Sequence, residues 1–90
     1  MTPPLGSVEP ISATRLLLVY ANGERRSFDV GPWLGIGRFA ELKDESVFKA
    51  VRVSFDTVQW PNGLDIDPEE LYSSSVALEG DAAEPSPGYR

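Results

Sequence analysis

The chain has 90 residues, 41% of them hydrophobic, and a net charge of −6, so it has room for one small soluble domain with a thin core. It contains no cysteine, which excludes disulfide bonds, thiolate metal sites and thiol nucleophiles. It contains no histidine either, which excludes the common Ser-His-Asp and Cys-His catalytic arrangements within this chain.

The first third of the chain predicts paired β-strands. Residues 15–20 are apolar on both faces, which favours a central strand over an edge strand. The dipeptide Asn22-Gly23 follows and is typical of a tight hairpin, because both of its positions accept a positive φ. In the strand over residues 24–30, the alternation places Arg26, Phe28 and Val30 on one face and directs Phe28 and Val30 to the core.

A glycine- and proline-rich loop follows this strand. Residues 31–37 hold three glycines and one proline, which interrupt any regular helix or ladder. Trp33 lies inside this loop, where its large ring either folds back as a plug over the core or is presented to a partner. Residues 39–42 then predict a short extended piece.

The middle of the chain predicts a short helix and a second hairpin. Asp44 suits the N-cap of a helix over residues 45–50, because its carboxylate can accept from free amides of the first turn. Residues 51–55 and 57–60 alternate and predict two tightly joined strands. The inner face of the first strand would hold Val51, Val53 and Phe55.

A second helix begins near Pro68, with Asp67 as its N-cap and Glu70 as the return acceptor of a capping box. We therefore predict one α+β domain over residues 8–72. It holds a twisted, mainly antiparallel sheet of about five strands and one or two short helices. Residues 73–90 are polar and acidic, and they predict a disordered C-terminal tail.

Two groups of charged side chains are candidate sites. The acids Asp65, Asp67, Glu69 and Glu70 are dense enough to bind a hard cation, but the stretch lacks the glycine and the closing glutamate of a calcium loop. Acids also stabilise a helix N-terminus, so we predict no metal and no cofactor here. The basic group, Arg25 and Arg26 with Arg15 and Arg52, forms either a patch for an acidic partner or a solvated sheet face.

Charge and chemistry argue against several functions. Residues 1–60 carry seven basic and seven acidic groups, so residues 61–90 carry the whole net charge. The basic residues are not concentrated in a patch, so we do not expect the chain to bind nucleic acid directly. No base stands ready to activate a serine, threonine or lysine, so we expect no enzyme. The N-terminus lacks a signal peptide, and the longest apolar run is too short for a membrane span, which predicts a cytoplasmic protein without membrane attachment.

Residues 60–72 read Trp-Pro-Asn-Gly, then Asp-Ile-Asp-Pro, then Leu-Tyr. Together with residues 39–44 and 48–53, this pattern resembles a bacterial family of small proteins, domain-of-unknown-function family two-four-four-two. The resemblance implies a small α+β domain and names no catalytic residues. It also implies a link to gene pairs suspected to be toxin–antitoxin modules. Residues after Tyr72 are too few and too polar for the helix-turn-helix of some relatives, so no DNA-binding role is carried over.

We therefore expect a non-enzymatic protein-interaction module, in one form the antitoxin-like partner of a small toxin. One alternative is an acidic inhibitor or nucleic-acid mimic that blocks a nucleic-acid-binding enzyme. The other is a small-ligand or metal-binding regulator. The partner is expected to be another protein, and a monomer and a dimer both stay open. The candidate partner-binding residues are Trp33, Arg25, Arg26, Asp65, Asp67, Glu69 and Glu70.

Overall fold

The computed structural model describes residues 2–78, and within them six strands form two antiparallel sheets. The strands are β1 (Leu5–Pro10), β2 (Arg15–Tyr20), β3 (Arg25–Asp29), β4 (Arg52–Ser54), β5 (Thr57–Gln59) and β6 (Val76–Ala77). The helices are α1 (Glu45–Phe48) and α2 (Pro68–Ser74), and two 3₁₀ turns span Gly31–Trp33 and Gly37–Lys43. This is the predicted α+β class, with its strands divided between two sheets.

The larger sheet has the strand order β1-β2-β3-β6. β2 lies between β1 and β3, as its apolar sequence predicts. One face of β2 is fully buried through Leu16, Leu18 and Tyr20, and the other face is half-buried. The antiparallel pairing of β2 and β3 confirms the predicted hairpin, although of the Asn22-Gly23 pair only Gly23 has a positive φ, at 93°.

The smaller sheet is the β4–β5 hairpin, which lies beside β1. Its turn consists of two residues, Phe55 and Asp56, with φ values of 51° and 65°. Two positive φ values are typical of a type I′ turn, whose twist matches that of the strands it joins. Phe55 was predicted to face the core, and this is wrong. The turn ends the strand at Ser54 and leaves Phe55 94% exposed.

One hydrophobic core joins both sheets and both helices. Its largest member is Trp60, which is 1% exposed, stacks on Phe48 and donates its indole Nε1–H to the Phe48 carbonyl at 3.1 Å. The remaining buried apolar residues are Leu5, Leu16, Leu18, Tyr20, Phe28, Val30, Leu42, Val58, Ile66 and Leu71. The core therefore draws on almost every element of the chain.

The two predicted helix caps are confirmed. Asp44 accepts from the Ser46 amide at 3.0 Å at the start of α1, and Asp67 accepts from the first amides of α2. α1 is one turn long and ends at Phe48, two residues before the predicted end. The extended piece predicted over residues 39–42 is wrong, because this segment forms a 3₁₀ turn that buries Leu42 in the core.

The folded elements extend past both predicted domain boundaries, residues 8 and 72. β1 starts at Leu5, and β6 pairs with β3 beyond α2. The amide of Leu78 also donates to the carbonyl of Arg25 at 2.9 Å. A strand of two residues has no periodicity to recognise, so the polar composition hid it. The rest of the predicted tail, residues 79–90, lies outside the described residues, as does Met1.

Candidate partner-binding site

Arg26 is held inside the fold. Its Nε donates to the Ser75 hydroxyl at 2.5 Å, and a terminal nitrogen donates to the Ser75 carbonyl at 3.0 Å. The guanidinium carbon lies 4.3 Å from the centroid of the Tyr72 ring, and only 16% of the side chain is exposed. Arg26 therefore fastens β6 and the end of α2 to β3, and its donors face this segment of its own chain.

Tyr72 and Glu24 complete this cluster. The Tyr72 hydroxyl donates to a Glu24 carboxylate oxygen at 2.8 Å, and Arg26 pairs with the same carboxylate at 3.4 Å. The hydrogen bond from Tyr72 is the main cause that lowers the pKa of Glu24, and it raises the pKa of Tyr72. These polar groups satisfy one another, so the cluster has a complete structural role.

The acidic candidates lie at and before the start of α2. Asp67 is the predicted N-cap, but the capping box predicted with Glu70 does not form, because its carboxylate accepts from the Ser74 hydroxyl at 2.6 Å instead. Asp65 and Glu69 are exposed, and Asp65 forms an isolated bridge with Gln59. Across residues 2–78, no group of three or more acidic, histidine or cysteine side chains is arranged to hold a metal ion.

The arginines predicted as a possible patch are not gathered on one surface. Arg25 lies exposed at one end of β3. Arg15 lies at the opposite end of the β2–β3 ladder, where its backbone is in register with that of Asp29. Arg52 belongs to the smaller sheet and donates to the Gln59 side chain at 3.1 Å. With Arg26 inside the fold, the four side chains do not form a continuous basic surface.

Trp33 is half-buried. It therefore combines the two predicted alternatives, because part of its ring covers the core and part stays accessible to a partner. Its ring packs on Phe28 and Phe39, with centroid separations of 6.1 and 5.1 Å. The same side chain lines a cleft of about 460 Å³, which we call the β3–β6 cleft. The residues that line it are Arg15, Ser27, Phe28, Asp29, Pro32, Trp33, Ser74, Val76 and Leu78.

The β3–β6 cleft combines apolar walls with a charged rim. Val76, which is 67% exposed, and Leu78 line the cleft together with Pro32 and Trp33 of the first 3₁₀ turn. Arg15 and Asp29 supply the charges, and within residues 2–78 the Arg15 guanidinium has no ion-pair partner. An incoming group would therefore meet apolar side chains and one charge of each sign.

The most exposed large apolar side chain of the described segment is Phe55. Together with Asp56 it forms the end of the β4–β5 hairpin, which we call the hairpin tip. A non-glycine residue at positive φ costs on the order of 1–3 kcal/mol, and the hairpin tip holds two of them. The sequence carried a signal for this turn, because the runs that end at Ser54 and begin at Thr57 leave a gap of two residues, the length of the commonest hairpin turn.

Neither helix in residues 2–78 has the length and apolar character that crossing a bilayer requires. Searches of curated proteins and of solved structures gave no match. A family model described as "Protein of unknown function (DUF2442)" matches residues 5–77, from the first residue of β1 to the last of β6. This match confirms the family that the sequence resemblance predicted, and the chain belongs to the DUF2442 family.

Proposed function

We propose that the chain is a non-enzymatic protein-interaction module that docks on a partner protein through the hairpin tip. The observation that carries the proposal is Phe55, whose side chain is 94% exposed on a backbone with a φ of 51°. Aromatic anchors supply much of the energy of protein interfaces, and a ring placed on a tight turn can serve as one. Full burial of a phenylalanine side chain is worth about 1.5–3 kcal/mol.

The hairpin supports this role because hydrogen bonds hold its strands in place. The Thr57 hydroxyl donates to the Ile66 carbonyl in the buried interior, and Arg52 bonds to Gln59 across the two strands. A pre-organised turn loses little conformational entropy when it docks, so more of the contact energy contributes to affinity.

The charge of the chain indicates the chemistry of the partner surface. Asp56 lies next to Phe55 in the turn, and the whole chain carries a net charge of −6. An apolar pocket with a basic rim would match both features, and opposite charges would also speed the encounter. In its narrower form the proposal makes the partner a small toxin that this chain neutralises in the cytoplasm; the family resemblance and the absence of cysteine support it.

The test compares affinity capture by the tagged wild-type chain with capture by a double variant, Phe55→Asn with Asp56→Gly. Asn-Gly fits a turn with two positive φ values, so this variant removes the ring and keeps the fold. Ile36→Asn is the matched control, because Ile36 is another exposed apolar side chain, 58% exposed, outside the hairpin. The captured protein is then purified, and its affinity for each chain is measured by calorimetry.

We expect one stoichiometric protein that binds the wild type and Ile36→Asn equally, and the double variant about tenfold or more weakly. A small protein as the captured species would support the toxin form. A nucleic-acid-binding enzyme released by salt would favour the acidic-inhibitor function instead. Equal affinity of the double variant and the wild type would overturn the hairpin tip as the docking site.

A further inference from the structure

The hairpin tip and the β3–β6 cleft are complementary features of the same chain. The hairpin tip is an apolar protrusion that no part of residues 2–78 covers, and the β3–β6 cleft is a concave site with apolar walls. We propose that the hairpin tip of one copy inserts into the β3–β6 cleft of a second copy. This inference rests on the proposed function in one respect: the self-association covers Phe55, the residue assigned to partner docking.

The size and the lining of the cleft suit a phenylalanine ring. Its volume of about 460 Å³ lies within the usual range of binding pockets and exceeds what one aromatic side chain needs. Trp33, Pro32 and Val76 line the cleft, so an incoming ring would meet aromatic and aliphatic groups. Aromatic pairs prefer tilted or edge contacts, which the exposed part of Trp33 could provide.

The charges at the two surfaces are complementary as well. Asp56 stands beside Phe55 at the hairpin tip, and Arg15 stands on the rim of the β3–β6 cleft without an ion-pair partner in residues 2–78. Insertion of the ring would bring the acidic Asp56 toward the basic Arg15, which favours this contact.

Each copy carries one hairpin tip and one β3–β6 cleft. A reciprocal exchange of tips between two copies would close the assembly as a dimer with two-fold symmetry. Each contact is centred on one side chain and is smaller than the ~800 Å² per partner of a standard interface. We therefore expect a weak dimer that dissociates on dilution. It would cover Phe55 when no other partner is present, and a partner that binds the hairpin tip would have to compete with it.

The experiment measures the mass of the purified full-length chain by sedimentation equilibrium, from micromolar to millimolar concentration. The tip variant is Phe55→Asn with Asp56→Gly. The cleft variant is Val76→Asp, at a position 67% exposed, so we expect the fold to accept the charge. A mixture of the two variants provides the decisive control, because it retains one intact tip and one intact cleft on different chains.

We expect the mass of the wild type to rise toward that of a dimer with concentration, and each variant alone to associate about tenfold or more weakly. The mixture should form a heterodimer through its one remaining contact. In NMR spectra, the indole N–H signal of Trp33 should shift with wild-type concentration. The signal of Trp60, which is 1% exposed, should stay in place.

A wild type that stays monomeric at millimolar concentration would overturn the inference, and so would a dimer that both variants retain. The result is independent of partner capture. A dimer with the expected variant effects and no captured partner would count against the proposed function alone. A captured partner with a chain that never dimerises would count against the dimer alone.

Discussion

The guanidinium of Arg26 lies 4.3 Å from the centroid of the Tyr72 ring and joins two segments that are far apart in the sequence. Its two hydrogen bonds to Ser75 hold the chain where α2 ends and β6 begins. Few backbone contacts fix β6, which pairs with β3 at two positions. The attachment of the last strand therefore depends strongly on one side chain.

Replacing Arg26 should destabilise the fold more than replacing an exposed cation. Hydrogen bonds from a charged group and the contact with Tyr72 together predict a loss of about 2 kcal/mol for Arg26→Ala. Arg26→Lys should lose most of this, because an ammonium cannot reproduce the planar fork of donors. Urea unfolding measures both, and Lys49→Ala, at a side chain 60% exposed, is the control with an expected loss below about 0.5 kcal/mol. Similar losses at both sites would contradict the role of Arg26.

Tyr72 should control the titration of Glu24. The hydrogen bond from Tyr72 is the largest of the causes that lower the pKa of the Glu24 carboxyl, so Tyr72→Phe should raise that pKa toward its ordinary value. A carboxyl whose pKa is lower in the folded state stabilises the fold above its ordinary pKa, and this contribution disappears as the pH falls through the folded value. NMR titration of the Glu24 side chain in both proteins tests this. An unchanged pKa in Tyr72→Phe would count against the hydrogen bond.

Replacing Tyr20 by phenylalanine should change the stability of the protein in the opposite direction to replacing Tyr72 by phenylalanine. It is 3% exposed, burial is the main cause that raises its pKa to about 12, and its hydroxyl has no hydrogen-bond partner in residues 2–78. Removing an unsatisfied buried hydroxyl relieves its desolvation cost, so Tyr20→Phe should stabilise the protein by about 1 kcal/mol. Tyr72→Phe, which breaks a satisfied bond, should destabilise it. Urea unfolding curves of the two variants decide the signs.

Local rules of the sequence predicted much of the fold. The central position of β2 followed from its apolar faces, and the caps at Asp44 and Asp67 followed from side chains that can accept from free amides. β6 could not be predicted in this way, because its stability comes from tertiary contacts. In the sequence, Ser75 looks like an ordinary exposed polar residue. Its hydrogen bond with Arg26 of β3 is a long-range contact that no local pattern predicts.

The candidate site was predictable only in part. Trp33 was a candidate because a large ring in a glycine-rich loop either covers the core or faces a partner. The structure places it at a cleft. Arg26 was grouped with possible partner-binding residues although its strand alternation placed it on the face of Phe28, and the structure turns it inward. Phe55 was missed because alternation alone extended the strand one residue beyond the point where the two-residue turn begins.

Trp60 should be the most sensitive position of the core. It is 1% exposed and both stacks on and hydrogen-bonds to Phe48, so Trp60→Ala should cost about 3–5 kcal/mol. Trp60→Phe keeps a ring and loses the indole donor, so it should cost less than the alanine variant. Guanidinium unfolding measures both. A stable Trp60→Ala variant would mean that the ring does not fill the core.

The sequence of the hairpin tip should lower the stability of the protein relative to a variant with the residues that this turn favours. Phe55 and Asp56 both adopt positive φ, where Asn-Gly is favoured, so changing the pair to Asn-Gly should stabilise the protein by about 1–2 kcal/mol. Phe55→Ala separates the ring from the strain, because alanine keeps the unfavourable φ. It should lose partner binding with no comparable gain in stability, whereas the Asn-Gly variant should lose binding and gain stability. Thermal unfolding and the binding assay, applied to both variants, test this prediction. If the Asn-Gly variant is no more stable than the wild type, backbone strain in the turn is no argument for its function.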